Sequence, residues 1–196
     1  MSSAFDLLSV KYDEWFEKHH GFYQSELEAI KALLPSQFNS AIEIGAGTGR
    51  FGSCCGISQG VEISKPMALL AQKRGMHITF AQAHNLPFQD FSFDLVLMVT
   101  SLCFFQNPQK AIQEAFRVLQ KKGTLIIAFV NKESPLGKAY QEKKETQKNS
   151  FYHNATFYTP QEVILIMQKA GFSHFKSRQT LFNLQEEQFE KSKSGF

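Results

Sequence analysis

Residues 41–51 read Ala-Ile-Glu-Ile-Gly-Ala-Gly-Thr-Gly-Arg-Phe. An apolar run carrying one acid, Glu43, stops at glycines in alternate positions, Gly45, Gly47 and Gly49. Such a run predicts a buried strand that turns tightly into a helix. Glycine admits positive φ, and its missing Cβ lets a ligand lie against the backbone. The first turn of the following helix presents unpaired N–H groups and the positive end of its dipole. A dinucleotide fingerprint would need glycine at position 50, where Arg50 stands. A phosphate-binding P-loop would need Gly-Lys-Ser/Thr, which does not follow.

Working outward, the chain alternates strand-like and helix-like segments, which predicts an α/β doubly wound, mostly parallel sheet with helices on both faces. Gly60–Ser64 reads as a second strand ending in Glu62, with Ser64 as N-cap of the next helix. An acid at that strand end can accept bonds from both hydroxyls of a ribose. His77–Ala81 reads as a third strand and Phe91–Val99 as a fourth. Asn107-Pro108 opens a helix as N-cap and first residue, and Lys121-Lys122-Gly123 reads as its end. Thr124–Val130 is a continuously apolar fifth strand. Thr159-Pro160-Gln161-Glu162 is a capping box, opening a helix that stops at Gly171, and Phe172–Leu181 reads as a sixth strand.

Two stretches together carry a family resemblance. The acid followed by G-x-G-x-G at 43–49 is joined by Ala83-His84-Asn85-Leu86-Pro87-Phe88 and Phe93-Asp94-Leu95-Val96. The chain thereby resembles the class I S-adenosylmethionine-dependent methyltransferases, in the small-molecule branch that includes ubiquinone and menaquinone biosynthesis enzymes, over roughly residues 40 to 175. The resemblance implies S-adenosyl-L-methionine as cofactor and S-adenosyl-L-homocysteine as product. It implies cofactor contacts from Glu43, Gly45, Ala46, Gly47, Gly49, Glu62, Ile63, Gln82, Ala83, His84 and Val99. Glutamine at 82 departs from the family's usual aspartate, though its amide oxygen can still accept from an adenine amino group. Phe104 and Phe105 stand where the family commonly has histidines, which makes that part of the site apolar.

The division expected is one methyltransferase domain over 1–196: an N-terminal helical cap (1–35), a cofactor-binding half (40–130), a substrate-binding insertion (131–159) and a C-terminal helix and strand (160–181). Residues 4–34 read as two helical pieces with apolar spacing from Phe5 to Phe16 and from Leu27 to Leu34. By resemblance, cap and insertion build the acceptor pocket, with Tyr12, Trp15, Phe104 and Tyr152 as its candidates. A base is needed only for a protonated nucleophile; Tyr12, His84 and His153 are the candidates. Residues 182–196 offer no convincing apolar run, so the family's seventh strand is expected to be missing or degenerate.

Composition bounds the partners. A net charge of +3 over 196 residues is too weak to argue for nucleic acid. No apolar run approaches the roughly 20 residues of a membrane span, and no signal-peptide pattern opens the chain. Three cysteines without metal-ligand spacing suit a reducing cytoplasm, and no metal site is expected. Twenty phenylalanines point to aromatic-lined cavities as well as core. The expectation is a small-molecule methyl acceptor, without nucleic acid or membrane; the motifs set neither the acceptor atom nor the oligomeric state. Two other readings stand beside it: an NAD(P)-dependent oxidoreductase on a similar fold, and a cofactor-binding partner protein or protein-modifying methyltransferase.

Overall fold

The structure is a computed structural model and describes residues 4–146, 151–182 and 188–194. Its centre is a five-stranded parallel sheet in the order β3-β2-β1-β4-β5, from β1 (Ala41–Ile44), β2 (Gln59–Val61), β3 (His77–Thr79), β4 (Phe93–Val99) and β5 (Leu119–Ala128). The chain builds outward from β1 to β3, then crosses back to place β4 on the other side of β1. That reversal opens a crevice beyond the carboxyl ends of β1 and β4, where open α/β sheets bind ligands.

Side-chain alternation assigns the two faces. Ala41, Leu95, Leu97 and Val99 pack with Phe16, Tyr23, Leu27, Ile30 and Phe51 from the helices α2 (Ser9–Lys18), α3 (His20–Lys31) and α4 (Arg50–Cys54). Ile42, Ile44, Val96 and Met98 face the other way, against Ala111, Ala115 and Val118 of α6 (Pro108–Val118). Further helices are α1 (Ala4–Leu7), α5 (Lys65–Lys73), α7 (Pro135–Thr146) and α8 (Pro160–Ala170). Their starts follow the local chemistry: Ser64, Asn107 and Thr159 each accept a backbone N–H of the first turn. Thr159 and Glu162 complete the reciprocal capping box. The polar segment after β5 includes α7, and residues 147–150 of it lie outside the described residues.

Three expectations are corrected. The N-terminal region forms three helices rather than two, broken at Leu8 (φ −121°) and His19 (φ −113°). Lys121-Lys122-Gly123 does not end a helix: α6 stops at Val118 and the chain passes straight into β5. Pairing with β4 wins over the capping pattern, and the surplus residues are taken up in a register shift between Phe93–Leu119 and Leu95–Thr124. Lys122 turns through φ +69° there, and a Cβ on Gly123 would lie 3.0 Å from the Gln120 carbonyl oxygen. Finally, residues 172–181 add no strand to the main sheet. Only β6 (Arg178–Gln179) is regular, and it pairs antiparallel with β7 (Lys193–Ser194) in a separate ribbon. That ribbon rests on α3, where the Glu190 and Ser192 N–H groups donate to Ser25 Oγ and a Glu28 carboxylate oxygen.

Candidate functional site

The glycine turn follows β1 directly. Gly45 and Ala46 N–H groups both donate to the Val61 carbonyl, at 2.8 and 3.0 Å, so the end of β2 anchors the turn. Gly45, Gly47 and Gly49 take φ of +73°, +54° and +79°. The three are not equivalent. A Cβ on Gly45 would meet Ser101 Cβ at 2.6 Å, and one on Gly49 would meet the Ala71 backbone at 2.9 Å. A Cβ on Gly47 would meet no heavy atom within 4 Å. Packing explains the outer glycines, whereas the middle one borders open space.

Glu62 leaves the end of β2 toward that space. One carboxylate oxygen accepts from Gly47 N–H at 2.8 Å, the other from Ile63 and Ser64 N–H at 2.8 Å each. Burial raises its pKa, against the pull of these backbone donors. A carboxylate has about four acceptor sites; with three taken by backbone donors, about one remains for a ligand hydroxyl. Ile63 beside it is exposed although large and apolar. Glu43 is buried one strand over; burial pushes it up to about 8, with one backbone bond from Gly52 at 3.0 Å opposing. Residues 82–85 follow β3 as a turn closed by Asn85 N–H to the Gln82 carbonyl, with Ala83 buried and Gln82 exposed. His84 is half-buried on that turn. Val99 ends β4, and all these positions share the carboxyl rim of one parallel sheet.

The resident group fits the chain's own chemistry. Glu62 would hold a ribose hydroxyl, the Gly47 backbone would leave room for the amino-acid end, and Ile63 would cover an apolar ring face. S-adenosylmethionine supplies an electrophilic methyl on a sulfonium; the chain supplies binding, orientation and exclusion of water.

Aromatic side chains meet beside this rim. Phe5 of α1 packs edge-on to Phe104 at 4.8 Å between ring centres, and against Tyr12 at 6.0 Å and Phe151 at 5.5 Å. Tyr152 stacks on Phe104 at 6.1 Å and on Tyr140 of α7 at 4.2 Å. The cluster thus joins α1 and α2, the post-β4 loop and the segment after β5. The loop reaches the glycine turn through Ser101, whose hydroxyl donates to the Ile44 carbonyl at 3.0 Å. Burial pushes both the Tyr12 and Tyr152 hydroxyls upward, so neither ionises near neutrality. Of the candidates, Tyr12, Phe104 and Tyr152 come together; Trp15 lies apart, packed on Phe16 and His19. His153 is exposed on the short 3₁₀ turn Phe151–Asn154.

Two groups escaped sequence reasoning. Arg50, read only as a missing third glycine, makes two bonds to Asp13 at 2.8 and 3.0 Å and one to Glu17 at 2.7 Å. Arg74 adds a 2.8 Å bond to Asp13 and one to the Thr48 carbonyl. Burial pushes Asp13 up, but hydrogen bonds from Arg50, Thr48 and Arg74 win and hold it at about 2. These charges clamp α2 onto the glycine turn. Arg117 of α6 likewise donates to the Leu86 and Phe88 carbonyls, and Glu114 accepts from Leu86 N–H, fixing the Leu-Pro-Phe loop.

The comparisons agree with this geometry. A methyltransferase domain family model matches residues 42–127. An uncharacterized protein of Methanocaldococcus jannaschii is 44% identical over 180 residues, covering 92% of this chain and 86% of the relative. The crystal structure of a Thermotoga maritima S-adenosylmethionine-dependent methyltransferase, described as a possible histamine N-methyltransferase, superposes with a TM-score of 0.93 at 43% identity. It covers 98% of this chain and 92% of that one. A demethylmenaquinone methyltransferase of the same organism is 29% identical over 133 residues, and the matched part is 58% of each chain. With the glycine turn, the Glu62 acceptor and the five-stranded order in place, the chain belongs to the class I S-adenosylmethionine-dependent methyltransferases.

Proposed function

We propose that the enzyme methylates a small molecule held in the aromatic cluster of Phe5, Tyr12, Phe104, Phe151 and Tyr152. The observation that carries this reading is the convergence of three separate chain segments on one apolar site beside the glycine turn. Methyl transfer from a sulfonium spreads positive charge in the transition state. Water favours the concentrated charge of the reactants, so a dry aromatic site lowers the barrier. Holding donor and nucleophile in line contributes roughly 7–11 kcal/mol without a dedicated catalytic side chain. Demethylmenaquinone methylation by a relative supports a small, ring-bearing acceptor. The site residues proposed for the cofactor are Glu43, the 45–49 turn, Glu62, Ile63, the 82–84 turn and Val99.

The test is calorimetric titration with S-adenosylhomocysteine, with NADH as control, on wild type and Glu62→Ala. Micromolar thioether binding, weakened at least about tenfold in the variant, is expected, with no response to NADH. Subsequent turnover on metabolite-sized acceptors, and none on intact proteins, supports the small-molecule reading. Turnover confined to protein substrates refutes it.

A further inference from the structure

Consecutive residues of α2 face two different parts of the site. Tyr12 packs edge-on against Phe5 at 6.0 Å, Phe16 at 5.2 Å and Phe151 at 5.6 Å between ring centres, inside the aromatic cluster. Asp13, the next residue, reaches the cofactor turn. Its Oδ1 accepts from Arg50 Nε at 2.8 Å, and its Oδ2 accepts from Arg50 at 3.0 Å and from Arg74 at 2.8 Å. Arg50 opens α4 directly after Gly49, and Arg74 closes α5 while donating to the Thr48 carbonyl at 3.0 Å. One carboxylate of α2 therefore gathers the end of the glycine turn, α4 and α5.

The start of the same turn is held by another route. The Ser101 hydroxyl donates to the Ile44 carbonyl at 3.0 Å, and its Cβ is what a Cβ on Gly45 would meet. Phe104, whose N–H donates to the Ser101 carbonyl at 3.0 Å, packs on Phe5, and Phe5 packs on Tyr12. The contacts close a ring through Gly45, Ser101, Phe104, Phe5, Tyr12, Asp13 and Arg50, with α2 on the side opposite the turn. The helix suits that place. It has 10 residues, lies between backbone breaks at Leu8 and His19, and receives no side-chain cap from either. A helix that short is marginal by itself, so its docking decides how often it opens, as a unit less costly to open than the sheet.

We propose that Asp13 is a positioning residue for methyl transfer: it docks α2 on the cofactor turn and thereby sets Tyr12 and the acceptor cluster at the distance that in-line transfer requires. The proposal rests on the acceptor reading above and adds the residue that ties that site to the cofactor. Asp13 acts through Arg50 and Tyr12 rather than on the reacting atoms. Glu17, one turn further along α2, also accepts from Arg50 at 2.7 Å, but its side chain is 68% exposed against 16% for Asp13. Solvent screens the outer pair, so the inner one carries the docking. A misplacement of about 1 Å between donor and acceptor costs roughly a hundredfold in rate. The linkage is reciprocal: a filled cofactor turn holds α2 in place, and a docked α2 favours the filled turn.

The test is residue-resolved amide hydrogen exchange on the full chain, free and saturated with S-adenosylhomocysteine, for wild type, Asp13→Asn and Glu14→Gln. In wild type the ligand is expected to slow exchange of the α2 amides at least about tenfold. In Asp13→Asn the glycine-turn amides stay protected by the ligand, while the slowing in α2 shrinks below about twofold. Glu14 pairs with Lys18 on the exposed face of the same helix, and its substitution is expected to keep the wild-type response. An Asp13 that merely stabilises the fold would speed α2 exchange by one factor in free and bound protein, leaving the ligand-induced ratio unchanged. That result overturns the proposal, as does a wild-type α2 that does not respond to the ligand. Arg74→Met removes one donor and keeps the Arg50 pair, so it covers the case in which Asp13→Asn does not fold. Its ratio is expected between the other two, and a ratio equal to wild type overturns the proposal. No acceptor is present in these samples, so failure of the Asp13 role and failure of the acceptor reading, which turnover assays test, are told apart.

Discussion

Replacing Glu43 with glutamine should reshape the pH dependence of stability. Glu43 is 1% exposed in the middle of β1, and burial, with some help from the Glu62 charge, raises its pKa from 4.5 to about 8. Its folded pKa therefore lies above the unfolded one. The stabilising contribution is complete below pH 4.5 and is lost as pH rises through about 8. At about 1.4 kcal/mol per pH unit, the interval accumulates to about 5 kcal/mol, and local relaxation on ionisation brings the expected loss to a few kcal/mol. Glutamine resembles the neutral acid and keeps an oxygen for the Gly52 N–H. Urea unfolding at pH 5 should place Glu43→Gln within about 1 kcal/mol of wild type. At pH 9 the variant should be more stable by about 2–5 kcal/mol. Glu26 titrates in an overlapping range, so the quantity to read is the difference between the two proteins at each pH. A difference that stays constant from pH 5 to pH 9 refutes the reasoning.

Other substitutions separate packing from binding. Gly49→Ala should lower stability by about 2–4 kcal/mol, since the new methyl meets Ala71 at 2.9 Å in a positive-φ position. Gly47→Ala should cost only about 1–2 kcal/mol, yet weaken S-adenosylhomocysteine at least about tenfold in calorimetry; the opposite ranking would remove the argument from open space. Arg50→Met should destabilise by about 1–3 kcal/mol and speed limited proteolysis within residues 4–18, because Asp13 loses its bidentate partner. With Arg50 present, Asp13 contributes stability above its unfolded value of 3.8 and loses it as pH falls through about 2, so acid titration of wild type and variant should diverge least at the lowest pH. Thr159→Ala removes the capping box of α8 and should cost about 1 kcal/mol with unchanged S-adenosylhomocysteine affinity.

What the sequence disclosed was what is local in it. Glycines at alternate positions after an apolar run specify a strand, a tight turn and a helix within a few residues, and the N-caps at Ser64, Asn107 and Thr159 act over single turns. Glu62 was legible because its place is set by the strand it ends. Arg50 and Asp13 were not, since the pair is made across the fold by helices whose approach no spacing encodes. Lys121-Lys122-Gly123 misled because lysines and glycine suit a helix end and a strand bulge alike; the long-range ladder to β4 decided between them.

The same bulge bears on how the molecule behaves in company. β5 is the last strand of the parallel sheet, and a straight outer strand offers its free N–H and C=O groups to any passing chain. Here its first half is bent by the register shift and carries the exposed side chains of Lys121 and Lys122, while residues 172–182 border a cleft along it. Curvature, like charge and a flanking segment together deny a template for intermolecular strand pairing, so the sheet can end at five strands without inviting fibrous association.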